Sequence, residues 1–354
     1  MNAPEFVQWL KIKGLFSTVM ENYKHFENIY TKCLDVKNQQ VLILTDKGYY
    51  GKRVPAIMAG CYLLAAKRLK INVDVAVQEP KFTKDVAEPN VVDALANLPE
   101  RSVIAIATSG KTGSFRKLGK SYRRFVRKNK HQFVSTGGLV HFKTSLFNHM
   151  VSAINIDYDK LRQKGRELKE MLDYGKEVSI LTKSGTSLRI NIQGMTAISN
   201  DGFYRDYGGN IPTGEVYIPP RKNKVEGTIV IDGSAKTQDD TLLIKEPIRL
   251  RVEKGEVTEI KGGVEAKALE RTFEAAAKKA KYPWGIRRIG ELGIGINPGA
   301  SIVGPTIINE KSLGTAHIGI GSNHWFGGSI YAITHLDQVF REPKIFIDNE
   351  RINV

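Results

Sequence analysis

The first half of the chain alternates between helical and strand-like patterns of apolar residues. Across residues 3–35 the apolar positions recur at helical spacing, which predicts one or two amphipathic helices. Short apolar runs then predict strands at 39–46, 71–79 and 102–108, with segments of helical spacing between them at 54–69 and 91–98. Strand, helix and strand in this order predict βαβ units around a parallel sheet, which is a doubly wound arrangement.

The second half of the chain changes to paired strands. A helical segment ends near Gly175, and residues 178–194 alternate apolar and polar positions around Ser184-Gly185, which predicts a β-hairpin. Further strands are predicted within 226–234, 247–263 and 344–352, and one helix at 266–279. We therefore predict an α/β protein with a doubly wound N-terminal domain at 1–176 and a strand-rich α+β domain at 177–354.

Composition limits the class of protein. The chain is 41% hydrophobic and 25% charged, and it contains no apolar run of about 18 residues, so we expect no membrane span. The N-terminus lacks the basic start, apolar run and small-residue cleavage site of a signal peptide. The two cysteines, Cys33 and Cys61, are too few for a disulfide framework, and together these features predict a cytoplasmic protein.

The formal net charge of +16 has one concentrated source at residues 116–131. Apolar Tyr122, Phe125 and Val126 interrupt the basic positions, so an amphipathic helix with a cationic face is predicted. That face is either a contact surface for an anionic ligand, such as a nucleic acid or lipid headgroup, or a solvated surface without a partner. The basic positions are Arg116, Lys117, Lys120, Arg123, Arg124, Arg127, Lys128 and Lys130.

Nucleotide binding by the predicted parallel sheet is disfavoured. The tripeptide GKT at 110–112 follows a predicted strand, but Ala105 stands where a phosphate-binding P-loop has its first glycine. The dinucleotide fingerprint GxGxxG does not follow the first strand. We therefore predict no nucleotide cofactor.

The stretch 314–337 is the richest in candidate chemistry. It holds His317, His324, His335 and Asp337 among five glycines. His335 and Asp337 are predicted to lie on one strand, where side chains two positions apart leave the same face and can reach one ion. Imidazole and carboxylate ligands together suit zinc, manganese, cobalt or iron. The alternative is that these are loop histidines whose hydrogen bonds are satisfied by backbone or water.

Two glutamates earlier in the chain are further candidates. Glu215 lies in NIPTGEVYIPP, and Glu291 lies in GELGIGINP before an apolar strand. Each alone is equally consistent with an exposed loop or strand end. Together with the late histidines and aspartate they would make six ligand-type groups, enough for two ions that share a carboxylate and activate a water for amide hydrolysis.

The order NIPTGEV, ELGIGINP, AHIGIGSN and HLD resembles the thermophilic metallo-aminopeptidase family of the aminopeptidase T and aminopeptidase S type, from about Tyr158 onward. The resemblance implies a homodimer that acts on peptides, with two divalent ions of zinc, cobalt or manganese. The family has a tyrosine where this chain has His324, and imidazole can replace phenolate as a ligand. By motif, the metal ligands carried over are Glu215, Glu291, His317, His335 and Asp337, and His324, at the tyrosine position, completes a set of six candidate ligands.

A related branch, the 2,5-dihydroxypyridine 5,6-dioxygenase type, is similar to this chain in its compact length and in HXD, and its resemblance implies one non-haem iron and oxidative ring opening. The leading hypothesis from sequence is a two-metal hydrolase that removes N-terminal residues from peptides, with Glu215 and Glu291 as catalytic carboxylates in the C-terminal domain. The ring-opening dioxygenase is the second hypothesis. A non-catalytic binding protein that uses the basic segment 116–131 is the third.

Overall fold

The computed structural model describes residues 1–115, 118–119, 121–205, 208–238 and 240–353. The chain divides into two compact units: one comprises Met1–Tyr158 and Gly202–Thr213, and the other comprises Asp159–Asp201 and Gly214–Val354. No helix among the described residues has both the length and the apolarity that a membrane crossing requires.

The first unit is built around a parallel five-stranded sheet. Its strands are Val41–Asp46 (β1), Val73–Gln78 (β2), Val103–Ala107 (β3), Gln132–Thr136 (β4) and Gly208–Asn210 (β8). They pair in the order β2-β1-β3-β4-β8. Every residue of β1 and β3 is buried, as expected for strands whose two faces are both covered.

Helices lie at the positions that the apolar spacing predicted, and one further helix, Phe147–Ile154, was not predicted. The α-helices are Ala3–Ile12 (α1), Phe16–Asn22 (α2), Val54–Arg68 (α3), Pro89–Ala96 (α4), Tyr122–Lys128 (α5) and Phe147–Ile154 (α6). Single-turn 3₁₀ helices lie at Tyr23–Phe26 and Thr144–Leu146, and a π-helical turn lies at Ile29–Cys33. The predicted order strand, helix, strand is confirmed, since β1, α3 and β2 form one parallel unit and α4 leads into β3.

The second unit contains two antiparallel sheets of seven strands. The first has the order β14-β13-β10-β6-β5-β18-β19, and the second has the order β12-β11-β17-β16-β15-β9-β7. The strands of the first sheet are Glu177–Leu181 (β5), Ser187–Asn191 (β6), Val225–Ile231 (β10), Ile248–Glu253 (β13), Glu256–Lys261 (β14), Lys344–Ile347 (β18) and Glu350–Ile352 (β19). The strands of the second sheet are Ile198–Asn200 (β7), Glu215–Ile218 (β9), Ser234–Lys236 (β11), Thr241–Leu243 (β12), Ile289–Gly295 (β15), Thr315–Gly321 (β16) and His335–Arg341 (β17).

Helices and short turns complete this unit. The α-helices are Tyr158–Tyr174 (α7), Val264–Lys279 (α8) and Thr306–Asn309 (α9), with 3₁₀ turns at Pro283–Gly285 and His324–Phe326. The predicted hairpin around Ser184-Gly185 is confirmed by the antiparallel pairing of β5 with β6. The mixed α/β fold class predicted from the sequence is confirmed as well.

The two compact units are not divided at the predicted boundary near residue 176. Helix α7 contributes all but its first residue to the second unit, where the Asp173 carboxylate accepts a hydrogen bond of 2.7 Å from the Ala197 amide. Residues 202–213 return to the first unit because β8 pairs with β4 at the edge of the parallel sheet. The sequence pattern could not predict that residues 202–213 belong to the first unit, since β8 is only three residues long.

The basic segment is helical in the part that the structure describes. Phe125 and Val126 of α5 are buried in the first unit, whereas Arg123, Arg124 and Lys128 are exposed, as the amphipathic pattern predicted. Residues 116, 117 and 120 lie outside the described residues. An anionic ligand for this face stays a prediction.

Candidate metal centre

Four neighbouring strands of the second unit carry five of the candidate ligands. Glu215 begins β9, Glu291 lies in β15, His317 lies in β16, and His335 and Asp337 lie at the start of β17. These strands pair side by side in the order β9-β15-β16-β17. Because alternate residues of a strand share a face and paired residues lie side by side, the sheet places all five side chains on one face.

Glycines on that face make room for the ligand side chains. Gly293 pairs with His317, and a Cβ atom at Gly293 would lie 2.1 Å from the His317 Nε2 atom. Gly319 pairs with Glu291, and a Cβ atom at Gly319 would lie 2.7 Å from His335 Cε1 and 2.8 Å from Glu291 Cβ. The imidazoles can therefore lie flat across the sheet only because these two positions lack side chains.

Glu291 lies at the centre of the cluster. Its Oε1 atom is 3.2 Å from His317 Nε2, and its Oε2 atom is 3.3 Å from His335 Nε2. His335 Nε2 is also 3.1 Å from Asp337 Oδ1, and His317 Nε2 is 3.6 Å from Glu215 Oε2. The ligand atoms form two groups, each within 4.8 Å: Glu215, Glu291 and His317 in one, and Glu291, His335 and Asp337 in the other. The two groups share Glu291.

The structure does not bring His324 into either group of ligand atoms. His324 is exposed in the 3₁₀ turn that follows the end of β16, so its side chain does not lie on the ligand face of the sheet. Its Nδ1 atom is 2.9 Å from Ser322 Oγ, and its ring stacks on Tyr331 with 4.5 Å between ring centroids. The sequence makes His324 a candidate ligand, but in the structure its ring contacts Tyr331 instead. Ligation of a metal by the other five residues stays a prediction.

A buried lysine beside Glu215 was missed by the sequence analysis. The side chain of Lys311 is 0% exposed, and its ammonium group lies 2.5 Å from both Glu215 Oε1 and Glu310 Oε1. Burial raises the pKa of Glu310 to about 8. Lysine and glutamate are among the residues least often fully buried, so the pair at 310–311 resembles an ordinary surface pair in the sequence and carries no local signal of this position.

The charged groups of the cluster shift one another's pKa values. Burial alone would lower the pKa of His317, but hydrogen bonding to Glu291 and the charge of Glu215 outweigh it and raise this pKa to about 9. The pKa of His335 is likewise raised well above its ordinary value, because Asp337 and Glu291 outweigh the effect of burial. Burial opposes the ionisation of Asp337, yet the His335 charge holds the pKa of this carboxyl below its usual range.

Metal affinity should therefore increase with pH. Imidazole must be neutral to bind a metal, and the pKa of His335 is raised well above its ordinary value, so this ring carries a proton at neutral pH in the metal-free protein. Each proton that the metal displaces should raise the affinity up to about tenfold per pH unit between pH 6 and 8. Calorimetric titration with Mn²⁺ in buffers of different ionisation enthalpy would count the displaced protons, and an affinity independent of pH would contradict this expectation.

The stability of the metal-free protein should decrease as the pH rises. A histidine whose pKa is raised on folding stabilises the fold fully below its unfolded value near 6.5, and this contribution is lost as the pH rises through about 9. The thermal midpoint in the presence of a chelator, measured against pH, gives an independent check on the same group.

The donor atoms fit a divalent transition-metal ion. The Asp337 Oδ1 atom is buried 3.1 Å from His335 Nε2, and burial of its charge is costly unless a cation, either the imidazolium or a metal ion, lies beside it. The His335 Nδ1–H group donates to the carbonyl oxygen of Ser322 at 2.8 Å, which directs Nε2 towards the carboxylates. An imidazole fixed through its other nitrogen in this way is the usual arrangement of a metal-binding histidine.

Comparison with known proteins relates this site to an enzyme family. The family described as NicX, 2,5-dihydroxypyridine 5,6-dioxygenase, matches residues 151–354. The chain is 22% identical over 344 residues to the 2,5-dihydroxypyridine 5,6-dioxygenase of Pseudomonas putida, and the match covers 92% of this chain and 93% of that protein.

Two solved structures share the fold. The 2,5-dihydroxypyridine dioxygenase of Pseudomonas putida KT2440 has a TM-score of 0.68 at 17% identity, with 95% of this chain and 96% of that chain covered. Wild-type AmpT from Thermus thermophilus has a TM-score of 0.63 at 16% identity, with 95% of this chain and 97% of that chain covered. The comparisons support the dioxygenase branch of the sequence-based resemblance better than its aminopeptidase branch, for which they show the fold alone.

Proposed function

This chain belongs to the NicX family of 2,5-dihydroxypyridine 5,6-dioxygenases, and from that premise we propose that it is a dioxygenase that opens a hydroxylated aromatic ring at one non-haem iron. The observation that carries the proposal is the group Glu291, His335 and Asp337 next to exposed aromatic rings. The three side chains would hold the ion, and His317 adds a second imidazole beside Glu291. Imidazole and carboxylate ligands suit iron, and here one imidazole and two carboxylates stand where the usual non-haem iron site has two imidazoles and one carboxylate.

The aromatic rings provide a surface for a planar substrate. Trp325 lies edge-on to the His335 ring with 5.0 Å between centroids, and 43% of its surface is exposed. Tyr331 is 55% exposed and stacks on His324. Flat apolar surfaces beside a few polar groups are typical of sites that bind aromatic small molecules.

The protein's own residues would bind and orient the reactants. Bound iron would supply the electron transfers that allow dioxygen to react with a closed-shell ring. Ser322, through its carbonyl oxygen, holds the His335 ring, and Glu291 keeps the His317 and His335 imidazoles on either side of its carboxylate. Trp325 would hold the substrate ring beside this group and exclude water from that side.

Oxygen uptake tests the proposal directly. The chain reconstituted anaerobically with Fe²⁺ should consume one dioxygen per ring opened when it is given a panel of dihydroxypyridines and dihydroxybenzenes. A chelator should abolish the uptake and Fe²⁺ should restore it. A fully metallated protein that consumes no oxygen with any member of the panel would contradict the proposal.

Substitution of Trp325 by leucine should weaken substrate binding more than turnover. Aromatic pairs contribute about 0.5–1.5 kcal/mol beyond the area they bury, so KM should rise roughly 3- to 10-fold with little change in kcat. Tyr174→Leu is a suitable control, because Tyr174 is 81% exposed at the end of α7. A kcat that falls while KM stays constant would contradict the assigned role of Trp325.

A two-metal aminopeptidase-like hydrolase is the second candidate. The specific observation in its favour is that two groups of ligand atoms share Glu291, as two ions that activate one water would require. It predicts two ions per chain and hydrolysis of aminoacyl-anilides, with a free oxygen of Glu215 or Glu291 accepting the proton of that water. Elemental analysis combined with both activity assays separates the candidates. Peptide substrates and a homodimer stay predictions from the aminopeptidase resemblance.

A further inference from the structure

Lys311 occupies an unusual position for a lysine. It lies two residues after the end of α9. Its backbone amide donates to Ile308 O at 3.2 Å, and its carbonyl oxygen accepts from the Asn297 amide at 2.9 Å. Its side chain is completely buried, and the ammonium group pairs with Glu215 and Glu310. A buried ammonium held between two carboxylates cannot move into water to relieve repulsion from another cation.

The Lys311 ammonium group contacts one oxygen of the Glu215 carboxylate. Glu215 Oε1 accepts from Lys311 Nζ at 2.5 Å and from Asn200 Nδ2 at 3.2 Å. Only Glu215 Oε2 is directed towards the ligand group, and its nearest imidazole atom, His317 Nε2, is 3.6 Å away. Glu215 Oε1 therefore already has a buried ammonium and an amide as partners before any metal binds.

The other group of ligand atoms has no lysine or arginine beside it among the described residues. The partners of Glu291 and Asp337 are the His317 and His335 imidazoles. The sheet thus offers two adjacent sets of ligands, and a fixed positive charge stands beside one of them.

We propose that Lys311 limits the centre to a single metal ion, held by Glu291, His335 and Asp337, and that Glu215 is a positioning residue for His317. A second divalent ion at Glu215, Glu291 and His317 would lie next to the buried ammonium, where the low dielectric leaves their repulsion poorly screened. This inference rests on the proposed mononuclear function and explains how a cluster with ligands for two ions would select one.

Counting bound Mn²⁺ tests the inference without any substrate. The metal-free wild-type chain should bind one Mn²⁺ in calorimetric titration, with the electron paramagnetic resonance spectrum of an isolated ion. Lys311→Met should bind a second Mn²⁺ and give the spectrum of a coupled pair. Lys344→Met is the matched control, because Lys344 is an exposed lysine of β18, and it should bind one ion like the wild type.

A second variant keeps the inference testable if Lys311→Met does not fold. Glu215→Gln should still bind one Mn²⁺, with an affinity within about threefold of the wild type. The inference is overturned if the wild type binds two ions, if folded Lys311→Met binds only one, or if Glu215→Gln loses an ion or weakens binding tenfold. Ring opening by a two-ion wild type would overturn this inference and the single-iron part of the proposed function but not the ring opening, whereas one bound ion without oxygen uptake would overturn only the proposed dioxygenase.

Discussion

Replacement of Asp337 by asparagine should remove most of the metal affinity and, with it, the activity. Asp337 supplies a buried oxygen 3.1 Å from His335 Nε2, and an amide in its place has no charge with which to balance a cation. Loss of residues that only orient metal ligands costs about 10- to 100-fold in affinity or activity, so loss of a ligand should cost roughly 100-fold or more. Titration with Mn²⁺ and oxygen uptake with Fe²⁺ measure the two effects separately.

The control for this variant is Asp159→Asn, because the Asp159 side chain is 68% exposed in α7. It should retain the metal affinity and the activity of the wild type. The thermal midpoint of both variants, measured with a chelator present, would show whether Asp337→Asn is still folded. A folded Asp337→Asn protein that binds Mn²⁺ as tightly as the wild type would refute the assignment of Asp337 as a ligand.

Substitution of Gly319 by alanine should disrupt the same group through packing alone. The added methyl would lie 2.7 Å from His335 Cε1 and 2.8 Å from Glu291 Cβ, distances that side chains cannot tolerate. The backbone at Gly319 needs no left-handed conformation, so the effect is steric. Overpacking of this kind costs about 1–3 kcal/mol, and we expect Mn²⁺ affinity to fall at least tenfold, since His335 and Glu291 are both displaced.

Gly137→Ala provides the matched control for this substitution. A methyl at Gly137 would meet its nearest atom at 3.2 Å, and none of its neighbours is a candidate ligand. It should leave Mn²⁺ binding unchanged even if it lowers the thermal midpoint. Unaltered Mn²⁺ affinity in Gly319→Ala would show that the imidazole of His335 does not lie where the sheet places it.

The βαβ order of the first unit could be predicted because each strand is a continuous apolar run and each helix has apolar residues at helical spacing. β1 and β3 are buried along their whole lengths, so their sequences contain no polar alternation that would obscure the pattern. β8 could not be predicted in the same way. It consists of two glycines and an asparagine, and it belongs to the parallel sheet only through its pairing with β4.

The sequence by itself determined the candidate chemistry of this protein: the HXD pair on a strand, two glutamates in glycine-rich segments, and a histidine in AHIGIG. Residue type and alternation are local properties, and they suffice to place His335 and Asp337 on one face. The sequence could not distinguish His317 from His324, because both are histidines in the same glycine-rich stretch.

Only the tertiary structure decided which of these residues meet. His317 remains in β16 and faces Gly293, whereas His324 lies beyond the end of that strand and stacks on Tyr331. The burial of Lys311 against Glu215 depends on residues 96 positions apart along the chain. Contacts of this kind are set by the register between strands and by the volume left beside each side chain, and neither quantity is encoded in any single segment of the sequence.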